Sequence, residues 1–178
     1  MNFFYKKYFI NIGGLWDSAT YMKKLRRYWP LFVLVIIAAL AALALTSPKN
    51  LFVWMHYFMG FFFCQFAMLK LFHPSDFADG FQMYDLVAKR FRVYAYLYPL
   101  IELGLGLAYL SFSRPMMTYI ITILVMGVGA IGVIRALKRG LDIRCACMGT
   151  VLDVPLSTVT LSEDISMGVM AILMLFAT

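Results

Sequence analysis

Apolar residues in this chain fall into long runs divided by short polar breaks. Leu31 to Leu45 is unbroken, and with Trp29 and Pro30 it approaches the roughly 20 residues that a membrane span needs. Thr46-Ser47-Pro48-Lys49-Asn50 reads as a tight turn. A second run covers about Leu51 to Phe72 and stops at His73-Pro74, because proline disfavours helix at the residue before it. Two more follow, about Val93 to Phe112 and Pro115 to Leu137. Small residues inside them (Gly104, Gly106 and Ala108; Gly127, Gly129 and Gly132) would let membrane helices approach closely.

The segments between these runs are mixed. Residues 75–91 interleave Phe77, Phe81 and Tyr84 with Asp76, Asp79, Asp85, Lys89 and Arg90, which predicts an interfacial helix, with Asp85 and Lys89 spaced as a weak i,i+4 pair. Lys138 to Val159 reads as a loop. A last helix is predicted from near Thr160, since Thr160-Leu161-Ser162-Glu163 has capping-box form and Asp164 suits a first turn. Its apolar part, Ile165 to Phe176, is short for a span. Residues 1–29 carry six basic side chains among Phe3, Phe4, Tyr5, Tyr8 and Phe9, the pattern of an amphipathic segment lying on a membrane.

The expected fold class is therefore all-α: a polytopic membrane helix bundle. Composition agrees. Of 178 residues, 63% are hydrophobic and 14% charged, and a soluble domain this short could not hide so much apolar surface. The net charge of +7 bears on topology rather than on nucleic acid, because the basic residues sit between the apolar runs. With five spans, the six basic residues before Pro30 share one side with Lys70, Lys89, Arg90, Arg92, Arg135, Lys138, Arg139 and Arg144. Only Lys49 and Arg114 fall opposite, so the positive-inside rule places the N-terminus and the 138–159 loop in the cytoplasm. A cleavable signal peptide is not expected, because the first apolar run lies far from Met1.

Candidate chemistry centres on Cys145 and Cys147, two of only three cysteines. One residue apart, they are placed to trade a disulfide with a partner or to bind one soft metal ion together. Arg144 beside them favours the reactive thiolate. The plain alternative is two incidental cysteines. On the second span His56, Met59, Gly60, Phe63 and Cys64 share one helical face. That face is either a track of soft ligands or simple packing, with packing favoured. Glu102 is an ionisable residue inside a span, which by default marks function or a buried partner. Lys70 and Arg92 are its candidate partners. Lys70 and Asp85 themselves read as interfacial.

Several of these residues carry a resemblance. Phe58-Met59-Gly60, Lys70-Leu71-Phe72, Tyr84-Asp85 and Tyr98-Pro99-Leu100-Ile101-Glu102, followed by Cys145-Ala146-Cys147-Met148-Gly149-Thr150, resemble the MauE/DoxX group of small membrane proteins over about residues 51–178. The resemblance implies a four-helix DoxX-like core (51–178), to which residues 30–47 add a transmembrane helix behind the basic segment 1–29. It also implies a redox-associated protein of the bacterial inner membrane, linked to maturation of a disulfide-rich partner in methylamine utilisation. Cys145 and Cys147 would be the redox thiols and Glu102 an intramembrane polar residue. The partner would be a thiol-containing protein, any enzymatic activity would be thiol-disulfide oxidoreductase-like, and a quinone is a candidate cofactor.

A second reading is soft-metal transport or delivery, with a metallochaperone as partner. Cys145 and Cys147 would receive Cu(I) or Hg(II), and His56, Cys64 and Met59 would line its path. A third is a structural subunit without chemistry. A periplasmic thiol pair would point to oxidative maturation, and a cytosolic one to metal handling or cytosolic redox.

Overall fold

The computed structural model describes residues 18–46, 50–139 and 156–177. Among them the chain is helical throughout: α1 (Ser18–Leu45), α2 (Leu51–Phe72), α3 (Pro74–Gln82), α4 (Arg92–Leu110), α5 (Pro115–Lys138) and α6 (Leu156–Phe176). Three of these, α2, α4 and α5, are long and apolar enough to cross a membrane, and Trp29–Leu45 of α1 is a shorter apolar helix. The chain is a polytopic helical membrane protein.

Local sequence explains most of the boundaries. Asn50 caps α2, its side-chain oxygen accepting from the Val53 amide at 3.4 Å. Pro74 stops α2 and becomes the first residue of α3, where its missing N–H costs nothing. The turn before α5 runs through Phe112 (φ 52°) and Arg114 (φ 42°), a left-handed backbone that disfavours side chains. Phe112 is held there by stacking on the His56 ring, 4.4 Å between centroids. Pro115 then opens α5.

Three boundaries differ from the sequence expectation. First, α1 starts well before Trp29 and carries Pro30 inside it. A membrane helix tolerates such a proline where neighbours or local adjustment satisfy the freed carbonyl. Second, the segment expected as one interfacial helix over 75–91 is helical only to Gln82 and then continues as turns. Its apolar side chains Phe77, Ala78, Phe81, Tyr84 and Ala88 are buried against α4 and α5 rather than laid on a surface. Third, α6 begins at Leu156, a turn before Thr160. Thr160 is thus inside the helix, and its buried hydroxyl has no hydrogen-bond partner among the described residues, so it is not a cap.

Packing runs chiefly along α2 with α4, α5 with α6, and α1 with α2. Glycine sets the closest approach. A Cβ added at Gly106 would lie 2.7 Å from Cys64 Sγ and 3.0 Å from the Gly60 carbonyl oxygen, so α2 and α4 meet nearly backbone to backbone. Gly104 and Gly127 face open space and play no such part. On α1, Ala38 and Ala42 are fully buried and offer α2 a smooth face, while Ile36, Leu40 and Leu43 point outward. Leu100, Leu107, Ile121, Leu124 and Leu173 are likewise exposed, the surface expected where lipid is the solvent. Between α1, α2 and α6 lies a cleft of about 280 Å³, walled by Leu31 and Val35, Phe58 and Phe62, and Met167 and Met170.

Candidate functional site

Two polar centres are built on α2. They sit fourteen residues apart, about 21 Å at the helical rise. The first surrounds His56, which is 1% exposed. Its Nδ1 lies 3.4 Å from the Tyr109 carbonyl oxygen, and its Nε2 meets the Tyr119 hydroxyl. A carbonyl can only accept, so in the neutral ring Nδ1 carries the proton and Nε2 accepts from Tyr119. The Tyr109 hydroxyl donates to Thr122 Oγ1 at 3.2 Å, and Thr122 Oγ1 donates to the Thr118 carbonyl at 2.8 Å. Every polar group in this sequence of contacts has a partner, and aromatic rings enclose it: Phe112 stacked on His56, Phe52 tilted and Tyr109 edge-on beside it.

The second centre surrounds Lys70 and Glu102. They form a buried ion pair, with side chains 4% and 1% exposed. Lys70 Nζ also stands 5.0 Å from the centre of the Tyr98 ring and 5.6 Å from that of Phe77, both within cation–π range. Glu102 Oε2 is buried without a hydrogen-bond partner among the described residues. Glu102 thus has the first of the two partners expected for it. Arg92 instead pairs with Asp79 at 2.6 Å, a contact in which both side chains are more than half exposed.

Acidic groups gather around this pair from two further segments. Asp85, in the connection before α4, is 1% exposed. Its Oδ1 accepts from the amides of Val87 (2.9 Å) and Ala88 (2.8 Å), while Oδ2 is buried and unpartnered among the described residues. Burial raises the Asp85 carboxyl pKa, opposed by those amide bonds and by the charge of Lys89. Gly132 of α5 makes room for this connection, since a Cβ there would lie 2.8 Å from the Tyr84 carbonyl oxygen. From α6 come Glu163 and the buried Asp164, whose Oδ2 stands where only a glycine at position 129 allows it, 2.8 Å from the site of an added Cβ.

The sequence reading of Lys70 and Asp85 as interfacial is therefore corrected: both are buried, because α3 and the turns after it fold over the end of α2. Asp164, expected to serve a helix dipole, faces the same interior. Tyr98 and Glu102 were within reach of sequence reasoning, since their i,i+4 spacing puts them on one face.

The family model described as methylamine utilisation protein MauE matches residues 48–177. The chain belongs to the MauE family. No curated protein and no solved structure matches it. The matched residues take in α2 to α6 and both polar centres, and leave α1 outside.

Within this MauE-family chain the other expected site residues separate. Met59 is fully buried in the apolar core. Cys64 is partly buried, its sulfur against Gly106. Eight residues, about 12 Å, separate it from His56, so the two do not share a ligand position. Among the described residues no group of three or more His, Cys, Asp or Glu is arranged to hold a metal ion. Cys145 and Cys147 lie outside the described residues.

Proposed function

We propose that this MauE-family chain serves methylamine utilisation from the bacterial inner membrane, exchanging thiol and disulfide with a thiol-containing partner protein through Cys145 and Cys147. The supporting observation is that the family match, residues 48–177, includes both cysteines. In the exchange, a partner thiolate attacks the Cys145–Cys147 disulfide. A mixed disulfide forms and one chain thiolate leaves. The partner's second thiolate then displaces the remaining chain sulfur, leaving the partner oxidised and the pair as a dithiol. Arg144 stabilises the departing thiolate. The distribution of basic residues supports a cytoplasmic place for the N-terminus and for this loop.

The test pairs labelling with growth. A membrane-impermeant thiol reagent is expected to modify single-cysteine variants at 145 or 147 only after lysis. Labelling in intact cells would overturn the orientation. A strain carrying Cys145→Ser and Cys147→Ser is expected to lose growth on methylamine while growing normally on ammonium. Unchanged growth on methylamine would sink the exchange role. Altered copper or mercury tolerance in that strain, with methylamine growth intact, would favour soft-metal handling instead.

A further inference from the structure

One lysine faces more carboxyl groups than it can neutralise. Lys70 of α2 pairs with Glu102 of α4, and its charge also reaches Asp164 of α6. Glu163 of α6, Asp85 of the connection before α4, and the hydroxyls of Tyr84 and Tyr98 complete the ionisable groups around Asp164. The side of α5 that touches Asp164 is Gly129 and adds no charge. Asp164 is 5% exposed and makes no hydrogen bond or ion pair to a described residue. A carboxylate taken out of water without such a partner neutralises rather than stay charged.

A cavity of about 10 Å³ lies between Lys70 and Asp164, lined also by Tyr84, Tyr98, Thr160 and Glu163, and Glu102 adjoins it through its pairing with Lys70. That is room for one water, and a buried water needs two to four polar partners. Thr160 supplies one. Its Oγ1 is buried, lines the cavity and has no other hydrogen-bond partner among the described residues, within a residue 8% exposed.

We propose that this cavity is a proton-binding site in which Lys70 is shared by two carboxyls, Glu102 and Asp164, with a single proton on whichever of them is not paired to it. In the arrangement seen, Lys70 and Glu102 are the ion pair and Asp164 is the neutral acid, hydrogen-bonded with Thr160 to one water. When the ammonium swings from Glu102 to Asp164, the proton passes the other way, from Asp164 to Glu102, and the total charge is unchanged. Glu102 Oε2, buried and without a hydrogen-bond partner among the described residues, is the oxygen that receives it. The site is thus a proton shuttle inside the bundle, independent of the thiol loop.

Infrared spectroscopy of the full chain in phosphatidylcholine vesicles tests this. At neutral pH the wild type is expected to show a protonated carboxyl band. Asp164→Asn should remove the band, and Thr160→Val should move it to higher frequency as the water contact is lost. A spectrum without the band, or a band that survives Asp164→Asn, would overturn the proposal. So would a Thr160→Val band that does not move. Asparagine mimics the neutral acid, so Asp164→Asn is also expected to unfold at the wild-type temperature. A drop as large as that of Glu102→Gln would show an ionised Asp164 and likewise overturn it.

Discussion

The His56 and Lys70 centres lie on one helix and solve the same problem oppositely. Around His56 each donor meets an acceptor and no net charge is needed. Around Lys70 there is full charge, an excess of acid, and oxygen atoms without partners among the described residues. A closed neutral network fixes geometry and gives the bundle a rigid end. An under-satisfied charged one retains freedom for a proton or a side chain to move. Chemistry inside the bundle is therefore expected at the Lys70 end and structural rigidity at the His56 end.

The sharpest way to break this comparison is to remove one charge. Glu102→Leu removes the carboxylate paired with Lys70 and leaves only Asp164, which must give up its proton to replace it, and a loss of up to roughly 3–5 kcal/mol is expected. Lys70→Met combined with Glu102→Leu should recover most of that loss, because an apolar pair of similar volume replaces the ions. Thermal unfolding in detergent across the four-member cycle measures the coupling. Additive losses would mean that the pair is not one unit. A smaller effect is expected at the other end. Tyr119→Phe strands His56 Nε2 and should cost about 1–3 kcal/mol by the same unfolding assay, with no change in proton uptake. A change in proton uptake would place chemistry at His56 and reverse the comparison. The smallest effect belongs to Asp79→Ala, which removes the exposed partner of Arg92 and should leave the unfolding temperature where it was.

The spans were legible because their signals are local. The apolar run of α2 ends where Pro74 must end it, and α5 starts at a proline. Glu102 declared itself as an acid inside a span. Its setting did not, because Lys70 lies two residues from the end of α2 and reads as interfacial in one dimension. Only the return of α3 and the following turns, seated against Gly132, buries Lys70 and Asp85. Asp164 was misread for a related reason. The capping-box pattern around Thr160 is real in sequence, but helix propagation from Leu156 carries it inside and turns its polar groups toward α5. Local rules place elements well, and they place side chains poorly where the contact comes from a helix far along the chain.

One consequence follows from the small-residue face of α1. Ala38 and Ala42 give α2 a smooth seat, and the outer side of α1 is the same aliphatic material as a fatty-acyl chain. Lipid tails are as apolar as leucine, so removing α1 from α2 forfeits packing but no hydrophobic free energy. Helix α1, outside the family match, behaves as a tethered annular lipid. It shields Phe58 and Phe62 and walls one side of the cleft, so its departure would open that cleft sideways to the surrounding bilayer.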